Sequence, residues 1–131
     1  MTLLAAAPIV LATLIALPAQ AGVAPGDTLP NGRPCPVVVS FGSYAMGIDQ
    51  AAYKTVKAYA ARHPRVRVVK ETPWGREGER TLCLSTAKAR DANRVFDDLR
   101  AAIGARARTG PTTITTSRGR AWTSDPHRRR Y

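Results

Sequence analysis

Cys35 and Cys83 are the only cysteines in the chain, and if they pair, they force two distant segments into contact. In an oxidising compartment, such a pair in a small domain most simply forms a disulfide. A dithiol redox site would need Cys-x-x-Cys spacing and a zinc site four ligands, and the sequence has neither. The pair therefore predicts a structural crosslink that closes a loop of about 49 residues and stabilises the fold by roughly 3–4 kcal/mol.

The first 21 residues indicate the compartment in which that crosslink would form. They contain no Lys, Arg, Asp or Glu, and Ala19-Gln20-Ala21 has the small-x-small pattern of a signal peptidase site. The apolar run from Leu3 to Leu17 is shorter than the roughly 20 residues that cross a bilayer. We predict a signal peptide over 1–21, cleavage after Ala21, and a periplasmic or secreted mature form without a transmembrane helix. The alternative is an uncleaved N-terminal anchor, because the leader has no Lys or Arg.

The mature chain of about 110 residues is long enough for one domain. Residues 22–34 contain three prolines and three glycines, which is typical of a linker or an irregular arm. The β-branched run 36–41 predicts a buried first strand. Helical spacing of apolar residues over 49–63 predicts the first helix, which Pro64 ends.

The second half of the domain contains further strand signals and one more helix signal. Residues 65–71 and 79–85 are predicted strands, joined by a Gly-rich hairpin. A clean i, i+3, i+4, i+7 apolar stripe predicts a second helix over 88–103, which Thr86 can cap. The Thr-rich stretch 111–116 is β-prone and predicts a fourth, edge strand.

This order predicts a small α+β two-layer sandwich over residues 35–117, with two helices on one face of an antiparallel sheet. The pattern βαββα(β) is that of the ferredoxin-like arrangement. There the first and third strands are antiparallel neighbours, so Cys35 and Cys83 would meet at one end. A regular strand from Cys35 would put Val37 on the cysteine face, opposite Leu82 and Leu84, so the register needs a kink at Pro36.

The same topology brings two loops together at the end of the sheet opposite the cysteines. They are the loop 42–47 and the hairpin 72–79, and the first helix also begins there. Polar, aromatic and charged groups converge at this end, which we take as the candidate binding surface. Its predicted members are Ser43, Tyr44, Trp74, Arg76, Glu77 and Glu79.

No catalytic residue is predicted in these loops. Gly42 and Gly47 have the spacing of a phosphate loop, but the Lys-Ser/Thr that must follow is absent. Glu77 and Glu79 leave a small hydrolase open as an alternative, although glycosidase carboxylates come from separate elements around a cleft. Ion pairs of these glutamates with the neighbouring arginines are the favoured interpretation. Trp74 either covers a sheet edge or is an exposed binding aromatic.

Metal ligands and cofactor motifs are not found. His63 ends a helix beside Pro64, where a cation favours the helix dipole, and His127 lies in the C-terminal segment. Neither histidine belongs to a Cys/His/Asp cluster with ligand spacing. The sequence therefore predicts no metal and no cofactor.

The net charge of +11 is concentrated towards the C-terminus. Residues 104–131 carry seven basic and one acidic residue, and 118–131 are predicted to form a basic disordered tail. Such a tail binds polyanions by counterion release. Its predicted contact residues are Arg118, Arg120, Arg128, Arg129 and Arg130.

Export and the central strands both disfavour a nucleic-acid partner. RNA-binding modules of this architecture stack bases on aromatics of the central strands, and here only Phe41 is aromatic. The sequence predicts a non-catalytic exported binding or accessory module whose partner is an envelope protein or an anionic surface. Extracellular nucleic-acid binding is the second alternative, beside the small hydrolase.

Overall fold

The computed structural model describes residues 26–104 and 109–124, and this part of the chain contains five strands and two helices. The predicted signal peptide, 1–21, lies outside these residues. The elements are β1 (Val37–Phe41), α1 (Gln50–Arg62), β2 (Val66–Pro73), β3 (Arg80–Thr86), α2 (Asp91–Ile103), β4 (Thr112–Thr116) and β5 (Ala121–Ser124).

The strands form one antiparallel sheet in the order β2-β3-β1-β4-β5, with β1 in the centre. Val37 pairs with Leu84 of β3 on one side and with Thr116 of β4 on the other. The predicted α+β sandwich is confirmed at this level, and so is the antiparallel pairing of the first and third strands. The strand order differs from the predicted sheet by a fifth strand, so the prediction that the fourth strand is an edge strand is wrong: β4 lies between β1 and β5.

One face of the sheet packs against both helices and forms the main core. Val37, Val39 and Phe41 alternate along β1 towards this side and meet Leu82 and Leu84. The helices contribute a second set of buried side chains: Ala52, Val56, Ala92, Val95, Phe96 and Leu99. Fully burying one such large side chain contributes about 1.5–3 kcal/mol.

The two helices begin differently: a capping side chain precedes α1, whereas a turn held by side chains precedes α2. Asp49 caps α1: its Oδ1 accepts a hydrogen bond of 3.0 Å from the Ala52 N–H. α2 begins at Asp91, three residues later than predicted. The Thr86 hydroxyl donates to the Lys88 carbonyl and Asp91 accepts from the Lys88 N–H, so these side chains fix a turn before the helix.

Cys35 and Cys83 form a disulfide with Cα atoms 5.6 Å apart. The register problem is resolved because β1 begins at Val37, beyond Pro36, so Cys35 is not part of the regular strand. Cys35, Val38 and Cys83 form a separate buried cluster on the sheet face that carries no helix. The crosslink therefore lies on the opposite side of the sheet from the main core.

Residues 26–36 form an arm that the disulfide holds on this helix-free face. Thr28 and Pro34 form an isolated β-bridge, and Leu29 packs on the cysteine cluster. Gly26 lies so close to Thr72 of β2 that a Cβ atom at this position would overlap its side chain. Within the predicted linker 22–34, Gly26 and Leu29 thus contact the domain, whereas Thr28 and residues 30–34 are exposed.

The prediction of a disordered tail over 118–131 is wrong for its first part, because β5 lies within it. Trp122 of β5 packs against the main core. Arg120 makes an ion pair of 2.7 Å with Asp97 of α2 and lies 4.1 Å from the Phe96 ring centroid. The high arginine content predicted a solvated tail, but Arg120 and Trp122 have partners in the folded domain. Residues 125–131 lie outside the described part.

A charged network joins the outer edge of the sheet to α1. Glu71 of β2 accepts hydrogen bonds of 2.7 Å from the Tyr53 hydroxyl and from Arg80, and Lys57 lies 3.5 Å away. Burial alone would raise the pKa of Glu71. The hydrogen bonds from Tyr53 and Arg80, together with the charges of Lys57 and Arg80, outweigh it, so this pKa is lowered from its ordinary value.

This network predicts an acid-sensitive contribution to stability. Because the folded-state pKa of Glu71 is depressed, its contribution is fully present above about pH 4.5, the ordinary value, and is lost as the pH falls through the folded pKa. Urea unfolding of the wild type and of Glu71→Gln between pH 3 and 6 should show a steeper loss of stability on acidification in the wild type. Equal slopes would contradict the prediction.

Candidate binding surface

The two loops predicted to share an end of the sheet are in contact. The Gly47 N–H donates a hydrogen bond of 3.3 Å to Glu77 Oε2, which links the loop 42–47 to the hairpin between β2 and β3. β1 ends at Phe41 beside Arg80, where β3 begins, so both connections leave from this end. Ser43, Tyr44, Glu77 and their neighbours therefore belong to one surface.

Ser43 organises the backbone of its own loop. Its Oγ accepts hydrogen bonds from the N–H groups of Ala45, at 3.1 Å, and Gly47, at 3.0 Å. Ala45 has a φ of 81° and Gly47 a φ of 83°, both in the left-handed region. That region is costly for alanine, and the Ser43 hydroxyl helps to hold the chain there. The serine has a structural role in the turn.

A third segment, residues 109–111, forms hydrogen bonds at both ends of this loop. The Thr109 hydroxyl donates to the Ile48 carbonyl at 3.0 Å, and the Gly42 N–H donates to the Pro111 carbonyl at 2.9 Å. Gly110 is buried against the carbonyl groups of Gly42 and Gly47, with no room for a Cβ atom. Sequence reasoning missed this segment, although the Gly-Pro pair before a Thr-rich strand is a turn signal.

The fixed loop presents two large side chains to solvent. Met46 is 82% exposed and Tyr44 is 46% exposed. Met46 was not among the predicted surface residues. Its position in a Gly-flanked loop, outside any helical or strand periodicity, is the signal that could have identified it as a surface residue. Two large side chains are therefore exposed on a turn that is held by hydrogen bonds.

The hairpin opposite is closed by Glu79. The backbone N–H of Trp74 donates to the Glu79 carbonyl at 2.9 Å. The Glu79 carboxylate accepts a hydrogen bond of 2.6 Å from the backbone N–H of Glu77. Glu79 is only 8% exposed, with its carboxylate turned over Gly75. Its side chain therefore satisfies the backbone of the turn.

Glu77 and Glu79 bind different backbone amides, one in each loop. Glu77 is exposed and contacts Gly47, whereas Glu79 is buried within the hairpin. Arg80, expected beside them, makes its ion pair with Glu71 instead. The arrangement gives both carboxylates a structural role in joining and closing the loops.

Trp74 was predicted either to cover a sheet edge or to be an exposed binding aromatic, and its surroundings combine the two. Its indole N–H donates to the Thr81 hydroxyl at 3.0 Å, and its side chain is half-buried. Thr81 is completely buried on the helix-free side of β3. The ring therefore covers the central strands behind the hairpin, as a lid would, while part of it remains at the surface beside exposed Arg76.

A row of five hydroxyl groups crosses the helix-free face behind the two loops. Each strand contributes one, and each is paired in register with the next: Thr72, Thr81, Ser40, Thr113 and Thr123. The Thr113 and Thr123 oxygens are 3.0 Å apart, and those of Ser40 and Thr81 are 3.4 Å apart. Such pairs stabilise neighbouring strands.

Of the arginines predicted as one basic tail, the structure describes Arg118 and Arg120. Arg118 is exposed in the turn between β4 and β5, and Arg120 is bound to Asp97, both at the cysteine end. Ser124 pairs with Thr112, beside the end of β1, so the chain continues from the loop end towards Arg128, Arg129 and Arg130, which lie outside the described residues.

Comparison of this chain with protein-family models, curated proteins and solved structures finds no match. Within residues 26–104 and 109–124, no helix is long and apolar enough to cross a membrane. In the same ranges, no group of three or more His, Cys, Asp or Glu side chains is arranged to hold a metal ion.

Proposed function

We propose that this protein is an exported, non-catalytic binding module that docks on an acidic envelope protein through its loop surface. The loop surface is defined as Tyr44, Met46, Trp74, Arg76 and Glu77. The observation that carries the proposal is the exposure of Met46 and Tyr44 on a turn fixed by hydrogen bonds from three segments. Tyr, Trp, Met and Arg are the residue types enriched in protein interfaces, and all four occur here.

Rigidity of the loop surface favours binding. The backbone N–H groups at 42, 45 and 47 are already hydrogen-bonded, to Pro111, Ser43 and Glu77. A partner would therefore not have to order this loop, which removes part of the entropic cost of association. Two exposed apolar side chains would then contribute to affinity as soon as they enter pockets on the partner.

The distribution of charge supports an acidic partner. Arg106 and Arg108 precede Thr109, and Arg128–Arg130 follow Ser124, so five arginines are close in sequence to two points anchored at the loop end. The whole chain carries +11. Positive charge around a binding surface accelerates association with an acidic partner and makes it sensitive to salt.

Localisation and fold family are part of the same proposal. The disulfide supports an oxidising compartment, hence a periplasmic or secreted mature protein cleaved after Ala21. We also propose that the domain is a ferredoxin-like sandwich extended by an edge strand. The element order β1-α1-β2-β3-α2-β4 and the sheet order β2-β3-β1-β4 support this, with β5 added beside β4.

Capture from envelope extract with immobilised mature protein, followed by affinity measurement with the identified partner, tests the proposal. The double variant Tyr44→Ser/Met46→Ser should weaken binding at least about tenfold, because truncating interface anchors costs more than 1 kcal/mol each. Val69→Ser is the matched control, since Val69 is also an exposed apolar residue, 37% accessible, but lies on β2. Equal affinities of the double variant and the wild type would contradict the proposal.

The contribution of the basic segment requires a truncation that spares the sheet. Ending the chain at Ser124 removes Arg128–Arg130 and keeps β5 intact. We expect slower association and a weaker dependence on salt, with dissociation little changed. Binding of the mature protein to anionic phospholipid vesicles, with no envelope protein captured, would replace the proposed protein partner by a membrane surface.

A further inference from the structure

A pocket of about 260 Å³ lies at the end of the molecule opposite the loop surface, where α1 ends, β2 begins and α2 passes. Val66 and Val95, both buried, form its apolar base. The rings of Tyr59 and His63 line one side, stacked with centroids 3.9 Å apart and planes inclined by 24°. The pocket thus has a flat aromatic side and a small hydrocarbon base.

Two carboxylates line the pocket from α2. Asp98 Oδ2 accepts a hydrogen bond of 2.7 Å from the Tyr59 hydroxyl, and Asp91 Oδ2 accepts one of 3.1 Å from the Lys88 N–H. Burial, and then the hydrogen bond to Asp98, raise the pKa of Tyr59 well above its ordinary value, so the phenol remains a donor. These bonds fix both carboxylates, and the second oxygen of each remains as an acceptor for a cationic group.

His63 adds a third acceptor. Its Nδ1 lies 2.7 Å from the Tyr59 carbonyl oxygen. Because a carbonyl only accepts, Nδ1 must carry the hydrogen, and in the neutral imidazole Nε2 then has the free lone pair. Two carboxylates and an imidazole nitrogen around one recess are suited to an ammonium group.

Two arginines supply the opposite charge. Arg94 is three residues after Asp91 and four before Asp98, on the same face of α2, and Arg65 follows the end of α1. Both are exposed, and within the described residues neither makes a hydrogen bond or an ion pair through its side chain. Guanidinium groups pair well with a carboxylate. The pocket therefore presents two acidic and two basic groups around an apolar base.

We propose that this pocket binds a free amino acid, or a small molecule of that class, with its ammonium group towards Asp91, Asp98 and His63 and its carboxylate towards Arg65 and Arg94. The volume is below the range typical of drug-sized ligands, which suits a molecule of this size. The site is separate from the loop surface, and the proposal does not depend on the protein partner.

NMR titration of the mature protein with a panel of amino acids at millimolar concentration is the direct test. Shifts of Tyr59, His63 and Val95 resonances by at least one amino acid are expected. For that amino acid, the amine without the carboxylate and the acid without the amine should each bind about tenfold more weakly, the equivalent of about 1.4 kcal/mol. Absence of shifts with every amino acid would overturn the proposal, and equal binding of the amine alone would replace it by a site for simple cations.

Two variants connect binding to the named residues. Asp98→Asn keeps an oxygen that can accept from Tyr59, so the fold should survive while the charge is lost, and Arg94→Gln removes one guanidinium. Each should weaken amino-acid binding about tenfold. Arg100→Gln, an exposed change on the same helix outside the pocket, is the matched control. Unaltered binding in both pocket variants would overturn the assignment, and circular dichroism checks that each variant is folded.

Discussion

Replacing Cys35 and Cys83 together by alanine is expected to lower the free energy of unfolding by about 3–4 kcal/mol. The disulfide links residues 48 positions apart, so its loss frees a long loop in the unfolded chain. Both cysteines are buried, and alanine avoids leaving a hydroxyl without a partner among them. Urea unfolding measures the change. A loss below about 1 kcal/mol would contradict the entropic argument.

The same variant should release the arm before it affects the sheet. Leu29 packs on the cluster around the disulfide, whereas Cys83 lies in β3, which is paired on both sides. Limited proteolysis is therefore expected to cleave within residues 26–36 faster in the variant, and to leave a folded fragment. Reduction of the wild-type disulfide should reproduce this pattern. Unchanged protection of the arm would indicate that its other contacts hold it.

Gly110→Ala should disrupt the loop surface and lower the free energy of unfolding by about 1–3 kcal/mol. The added Cβ would overlap the backbone carbonyl of Gly42 and lie 3.3 Å from that of Gly47. Backbone atoms cannot move aside as a flexible side chain does, so the loop 42–47 has to shift. Partner affinity should fall at least about tenfold with it, because the positions of Tyr44 and Met46 depend on that loop.

Gly119→Ala separates this effect from ordinary glycine strain. Gly119 has a φ of 90°, so alanine is strained there, but its Cβ would have no atom within 4 Å. Stability should fall by about 1 kcal/mol while partner binding stays unchanged, since the β4–β5 turn is at the opposite end. Equal losses of affinity in the two variants would show that position 110 has no special influence on the loop surface.

The regular elements of the core could be predicted because their local patterns agree with their tertiary environment. The apolar stripe containing Val95, Phe96 and Leu99 is buried on α2 as its spacing predicts, and Asp49 caps α1. The pairing of Cys35 with Cys83 was predicted because they are the only two cysteines, and the predicted neighbourhood of β1 and β3 agreed with it. In each case, a signal carried by the sequence matched the contact that stabilises the fold.

The parts that escaped prediction depend on contacts between distant residues. β5 has only four residues, and its stability comes from β4, from the packing of Trp122 and from the ion pair of Arg120 with Asp97. The hydroxyl row requires the register of five strands, which no local pattern contains. For the candidate surface, the topology placed the two loops together, but the roles of Met46 and Gly110 follow only from their three-dimensional surroundings.

The position of the disulfide has a consequence for the order of maturation. If the chain is translocated N-terminus first, Cys35 reaches the oxidising side well before Cys83, which sits in β3. In that case the disulfide cannot hold the arm until Cys83 has also arrived. With two cysteines in the whole sequence, only one intramolecular pairing exists, so oxidation needs an electron acceptor but no isomerase to correct it. Formation of the Cys35–Cys83 disulfide would then show that the first and third strands have met.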